Sequence, residues 1–367
     1  MKVTFPYMGS TIIYKKIAEL LGHEVIMPPP PTKKTISLGA KYSPEFACVP
    51  LKMITGTYIE AAEMGAEVVI TSGGHGPCRA GYYNQVHRRI LEQLGHNLEF
   101  IVFDSIFDDI QDFLTTLKRL RAGSSVLRVG SVLTSVYRMM RMLDNLDKRL
   151  HTLRAYEQNR GDCTQAWRKI TAMFDKAQSV AEMKQAYIEG NELLDSIPLR
   201  ADTSRRLRIG LVGEIYVVME PSINMHLEET LGNLGCEVER SQYLTGWVEY
   251  NFLPGPLNYW THEKKAIKKG RPYIPMIIGG HAIQTVGHIV DYAERGFDGV
   301  IHLMPFGCLP ELVSQSIIPA ISEKHGIPVM TLSLDEQTGV ANIQTRVEAF
   351  IDLIARKKFD DGVKQHA

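Results

Sequence analysis

The chain has 367 residues and 41.3 kDa, with 44% hydrophobic and 22% charged residues, enough for two or three domains rather than one core. Forty-one basic residues balance forty-one acidic ones, which excludes a globally basic nucleic-acid binder and a self-repelling acidic, disordered chain. No window approaches eighteen uninterrupted apolar residues, and the opening MKVTFPYMGSTIIYKK lacks the apolar region and cleavage site of a signal peptide, so the expectation is a cytoplasmic protein with neither a membrane nor a nucleic-acid partner.

In chain order, short β-rich runs at Lys2–Pro6, Glu24–Met27, Glu67–Thr71 and Glu99–Phe103 alternate with helical patterns, the signature of βαβ units around a mostly parallel sheet. A helix is expected from Cys48, where Pro50 opens an amphipathic run, and another over Tyr82–Leu94. Proline is absent between Pro77 and Pro198, and a proline-free interval suits long helices. Within it Val136, Met139, Met140, Leu143, Leu146 and Leu150 recur at spacings of three and four, one apolar helix face, and weaker patterns follow at Cys163–Phe174 and Val180–Leu194. Three or four helices are expected there. Residues 111–206 carry seventeen Lys and Arg against eleven Asp and Glu, so this segment is locally basic. Strands resume at Arg208–Val212, Cys236–Ser241, Pro275–Ile278, Gly299–Leu303 and Pro328–Leu332, with a helix over Leu309–Ser322. The fold class is therefore α/β: two flavodoxin-like βαβ lobes, at 1–109 and 205–367, with a helical insert at 110–204 between them.

A faint repeat links the two lobes. VVITSGGHGPC, Val68–Cys78, and GVIHLMPFGC, Gly299–Cys308, both read strand, glycine- and proline-rich turn, cysteine, helix, strand. Ligands of open α/β sheets bind beyond the carboxyl ends of strands, where Cys78 and Cys308 would emerge.

Five cysteines in a large chain read as intracellular make a disulfide framework a poor reading. Cys48, Cys78 and Cys308 each precede a helix, and a helix N-terminus lowers a thiol's pKa. Beside glycine turns that let backbone approach a bulky ligand, they look like anionic ligands of an iron–sulfur cluster, with one iron left open as a Lewis acid. An isolated cysteine is more often a small core hydrophobe, the reading preferred for Cys163 and Cys236. His75, His281 and His302 stand near turns or strand ends and keep zinc open as an alternative metal, although close ligand pairs are missing. No phosphate loop and no strand-linked GxGxxG support ATP or dinucleotide binding. Glu214 and Glu220 after a strand, and Arg79 and Tyr82 beside Cys78, are candidate catalytic helpers; the glutamates could equally be caps. Trp247, Tyr250, Phe252, Tyr259 and Trp260 suggest a lid or pocket wall, or merely the cover of a core edge.

At these residues the chain resembles the iron–sulfur subunits of the 2-hydroxyacyl-CoA dehydratases and the related double-cubane cluster proteins, nearest the branch labelled CoA protein activase or acyl-CoA dehydratase activase-related protein. The resemblance is carried by EFACVPLKMITGTYIEA, GGHGPCRAGYY, GEIYVVMEP, IGGHAIQTVG, HLMPFGCLPELV and LDEQTGVANIQTRVEAFIDL. It implies that Cys48, Cys78 and Cys308 hold a [4Fe-4S] cluster between two α/β lobes. It also implies that a separate ATPase of the acetate kinase and actin fold injects a low-potential electron for reductive or radical dehydration, in an anaerobic setting. Too few cysteines are present for a double cubane, and the family normally pairs two subunits, so a homodimer or a related second subunit is expected. The alternatives are a non-catalytic electron carrier or accessory protein, whose basic helices would dock a partner, and a colourless zinc protein.

Overall fold

The structure is a computed structural model that describes residues 1–73, 78–103, 110–121, 123–201, 206–253 and 261–360. It contains two four-stranded, all-parallel sheets. The first comprises β1 (Lys2–Thr4), β2 (Glu24–Val25), β3 (Val68–Ser72) and β4 (Glu99–Phe103), in the order β2-β1-β3-β4. The second comprises β5 (Leu207–Gly213), β6 (Cys236–Arg240), β7 (Gly299–Pro305) and β8 (Val329–Leu334), in the order β6-β5-β7-β8. Each repeats the 2-1-3-4 order with which a flavodoxin-type sheet begins, and its switch point lies between the first and third strands. All seven residues of β7 are buried, as a strand covered by helices on both faces must be.

Between residues 110 and 204 the described residues form four α-helices, Ile110–Leu120, Val126–Leu153, Asp162–Lys176 and Val180–Asp195. The apolar stripe read from spacing, Val136 to Leu150, is at most 3% exposed throughout. It packs with Ile170, Phe174 and Met183, but also with Ile13 and Leu21 of the first lobe and with Leu244, in one continuous core. The helices thus share a core with the α/β layers they interrupt. The boundaries expected near 110 and 204 adjoin residues 104–109 and 202–205, which lie outside the described residues.

The expected strand at Pro275–Ile278 does not form. Met276 and Ile277 are 67% and 71% exposed, and the segment is a turn running into the helix Ala282–Glu294 through Gly279 and Gly280, both at positive φ. Apolar character alone is not enough for a strand.

The lobes meet through side chains on both sides. Val49 and Met53, on the helix that follows Cys48, are buried in the core of the second lobe with Leu207, Ile209 and Leu334. Tyr216 Oη donates to the carbonyl of Tyr7 at 3.0 Å, the amide of Gly9 donates to Glu220 Oε2 at 3.3 Å, and Lys52 Nζ reaches Glu336 Oε1 at 2.5 Å.

Candidate functional site

Three helix starts converge where the lobes face each other. Cys48 is the residue before helix Val49–Glu63, Cys78 precedes the single turn Arg79–Tyr82, and Cys308 precedes helix Leu309–His325. Proline follows within two residues at Pro50 and Pro310, which sets the first-turn dihedral and removes an amide that would lack a partner. Cys78 and Cys308 follow β3 and β7, and Glu214 follows β5, so strands bordering both switch points deliver residues to the same place.

Arg79 ties the turns together. Its Nη1 donates to the carbonyl of Phe46 at 2.7 Å and its Nη2 to that of Gly307 at 2.5 Å. One guanidinium, on the residue after Cys78, therefore holds the loops leading into Cys48 and Cys308. Gly280 closes the remaining side: a Cβ there would stand 2.7 Å from Pro310 and 3.7 Å from Cys78 Sγ, and its φ is +55°. Only glycine suits a left-handed turn this close to Pro310 and Cys78.

The electrostatics confirm proximity and correct one expectation. Burial pushes up the pKa values of Cys48, Cys78 and Cys308, and the Glu214 carboxylate adds to each rise. A charged Cys48 also opposes ionisation of the other two thiols. None of the sulfurs makes a capping hydrogen bond of normal geometry, although the first-turn amides of Leu51, Ala80 and Glu311 favour the thiolates. The depressed thiol pKa expected at helix starts is thus overturned: desolvation outweighs dipole and amides, because Cys48 and Cys308 are only 7% and 6% exposed. The Arg79 guanidinium favours the Cys48 and Cys78 thiolates but does not offset burial; a metal cofactor would supply further positive charge, since coordination deprotonates a thiol outright.

Glu214 is half-buried and caps the next turn, its Oε2 accepting from the amide of Val217 at 3.1 Å. Burial raises its pKa to about 7. Glu220, 2% exposed, accepts from the amides of Ser222 and Gly9 at 3.1 and 3.3 Å and is likewise raised to about 7 by burial. Both glutamates therefore act as caps, and Glu214 in addition stands within electrostatic reach of the thiols. Tyr82 is 73% exposed, whereas its neighbour Tyr83 has its hydroxyl 2.7 Å from Cys48 Sγ. Tyr83 was missed in the sequence; the paired tyrosines of RAGYY were the signal, and the extra 3₁₀ turn decides which one points inward.

Glu311 was missed as well, although a glutamate three residues after a helix-capping position is a recognisable spacing. It is 0% exposed, with Oε2 2.9 Å from His302 Nε2 and Oε1 accepting from Thr285 Oγ1 at 3.2 Å. His302 also meets Thr331 Oγ1 at 3.2 Å through Nδ1. This buried network braces the first turn beyond Cys308. His281 is the residue before helix Ala282–Glu294, and burial lowers its pKa. His75, Tyr259 and Trp260 lie outside the described residues. Cys163 and Cys236 are each 0% exposed in separate apolar cores, away from this convergence. Trp247, Tyr250 and Phe252 lie on helix Leu244–Phe252, which packs on the long helix Val126–Leu153, where Tyr137 Oη donates to Glu249 at 2.7 Å.

Among the described residues the three sulfurs do not converge tightly enough to count as ligands of one ion. A single tetrahedral zinc with Zn–S bonds of ~2.3 Å needs sulfurs roughly 3.8 Å apart, whereas a cubane spreads its thiolate ligands more widely over separate irons. The residues present, three thiols on separate turns with glycines around them, fit a cluster better than a lone ion.

Residues 133–354 match the family model described as 2-hydroxyglutaryl-CoA dehydratase, D-component. The match includes Glu214 and Cys308 and begins after Cys48 and Cys78. No curated protein matches the chain.

Proposed function

Because the chain belongs to the 2-hydroxyglutaryl-CoA dehydratase D-component family, we propose that it is the cluster-bearing component of a 2-hydroxyacyl-CoA dehydratase-type system, with Cys48, Cys78 and Cys308 as the protein ligands. The observation that carries this reading is the Arg79 bridge, which gathers the turns of all three cysteines from both lobes. Bound there, a [4Fe-4S] cluster would supply a low-potential electron and one open iron position for a thioester substrate.

The remaining work falls to the chain. Arg79 fixes the spacing of the three turns. The Tyr83 hydroxyl donates to the sulfur of Cys48 whenever that sulfur is a thiolate, and so stabilises its charge. Loss of water from a 2-hydroxyacyl thioester needs a proton removed and a hydroxyl released. Glu214, with a pKa near 7 beside the thiols, is the group suited to hold and move that proton at neutral pH.

Phe46 and Phe306, 83% and 62% exposed, precede the Cys48 and Cys308 turns by two residues each and leave an apolar rim around them. Such a rim suits a docking partner, here the ATPase that delivers the electron, with a second subunit, either a copy or a relative, completing the enzyme. Among the described residues no helix is long and apolar enough to cross a membrane.

The test is whether substrate reaches the iron. EPR spectra of the reduced, cluster-loaded chain are recorded with and without a 2-hydroxyacyl-CoA. A changed signal, lost in neither Cys163→Ser nor Cys236→Ser, supports the catalytic component. An unchanged signal in a chain that still passes electrons to an acceptor points instead to an accessory electron carrier.

A further inference from the structure

In the second lobe, helices His262–Gly270 and Ala282–Glu294 meet backbone to backbone. A methyl group on Gly270 would stand 2.1 Å from the carbonyl oxygen of Ile283, and one on Gly287 1.8 Å from that of Ala266. Those two contacts make the helices run in opposite directions and bring the first turn of one against the middle of the other. There His262, Glu263 and His288 each present a ligand atom, all within 4.8 Å of one another. His288 is 0% exposed, and neither of its ring nitrogens has a hydrogen-bond partner among the described residues. Glu263 is 4% exposed with Oε2 equally unpartnered, and its Oε1 lies 3.9 Å from His288 Nε2, too far for a hydrogen bond. The rings of His262 and His288 lie against each other, centroids 4.6 Å apart and planes tilted by 32°. A buried polar atom left without a partner is destabilising.

We propose that His262, Glu263 and His288 form a second metal site, for a divalent zinc-like cation, separate from the cysteines. Two imidazoles and one carboxylate select zinc and its first-row neighbours over calcium or magnesium, which prefer all-oxygen shells. Three protein ligands leave a fourth position for water. A tetrahedral cation with bonds of ~2.1 Å draws its ligand atoms to roughly 3.4 Å separation, and exposed His262 is the side chain that swings to close the gap. The cation crosslinks the two helices. One of them begins just after His281, which follows the Gly280 that abuts Cys78, so the site also stiffens a wall of the cysteine pocket.

Zinc would also bind free thiols, so the test uses the full chain carrying Cys48→Ser, Cys78→Ser and Cys308→Ser, stripped of metal and titrated with Zn²⁺ and, separately, Co²⁺. One equivalent should bind, raise the melting temperature, and give cobalt d–d bands without sulfur charge transfer. Affinity should fall by at least about 100-fold in His288→Ala. His262→Ala, altering an exposed side chain, serves if the buried variant does not fold. If the triple-serine chain does not fold, the zinc content of the otherwise unaltered chain should drop by one equivalent on His262→Ala. Absence of saturable Zn²⁺ binding, or binding unchanged by His262→Ala, overturns the site and leaves a buried water as the partner of His288.

Discussion

Arg79 donates to carbonyls of both lobes from an exposed position, so its removal should spare the fold and loosen the cysteine turns. In Arg79→Ala, cluster iron should be released to a chelator roughly 10- to 100-fold more readily, and Arg79→Lys should not rescue it, because one ammonium cannot match a two-carbonyl fork. Tyr83→Phe removes the hydroxyl at Cys48 and should lower the reduction potential of a bound cluster, measured by redox titration with EPR. Glu220 gives a pH signature. Its pKa is raised by burial from 4.5 to about 7, so the folded state favours the protonated acid. That contribution is fully present below pH 4.5 and is lost as pH rises through about 7, a change on the order of 3 kcal/mol. Glu220→Gln should flatten the pH dependence of urea unfolding across that window. At this scale the sequence shows which cysteines start helices, because Pro50, Pro310 and the glycine turns mark those starts. It does not show the thiol pKa values, which burial sets, or that Tyr83 rather than Tyr82 faces the sulfur, which one 3₁₀ turn decides.

Among the elements, the helix Val126–Leu153 was the most legible, since six apolar residues at helical spacing in a proline-free stretch have one sensible reading. Leu146 on its buried face is 0% exposed, and Leu146→Ala should cost about 2–5 kcal/mol in urea unfolding. What spacing could not reveal is that this stripe also packs on Ile13 and Leu21 of the first lobe, because partners distant in sequence leave no periodicity. The run Pro275–Ile278 misled for a related reason: its residues favour a strand, but among the described residues no strand pairs with them, and Met276 and Ile277 stand exposed instead. Pro319 stands inside helix Leu309–His325, so absence of proline identifies helices better than its presence excludes them.

For the whole molecule, the faint repeat between Val68–Cys78 and Gly299–Cys308 corresponds to two sheets of the same strand order, each presenting a cysteine after its third strand. The meeting of the lobes was not readable, since it depends on single contacts such as Lys52 with Glu336, 2.5 Å apart with Lys52 only 4% exposed. Glu336→Gln leaves that lysine buried without its counter-charge and should destabilise the chain by about 3–5 kcal/mol, with much of the loss recovered in Lys52→Met/Glu336→Gln. The cysteine site exists only while the lobes stay joined, so the same single variant should also retain less iron.

The most direct measurement is iron and acid-labile sulfide per chain after anaerobic reconstitution, in the unaltered protein and in each of the five Cys→Ser variants. About four irons and four sulfides per chain are expected, falling sharply for Cys48→Ser, Cys78→Ser and Cys308→Ser and holding for Cys163→Ser and Cys236→Ser. Iron that is absent throughout, or equally retained when any of the first three is replaced, would contradict a cluster held by these cysteines.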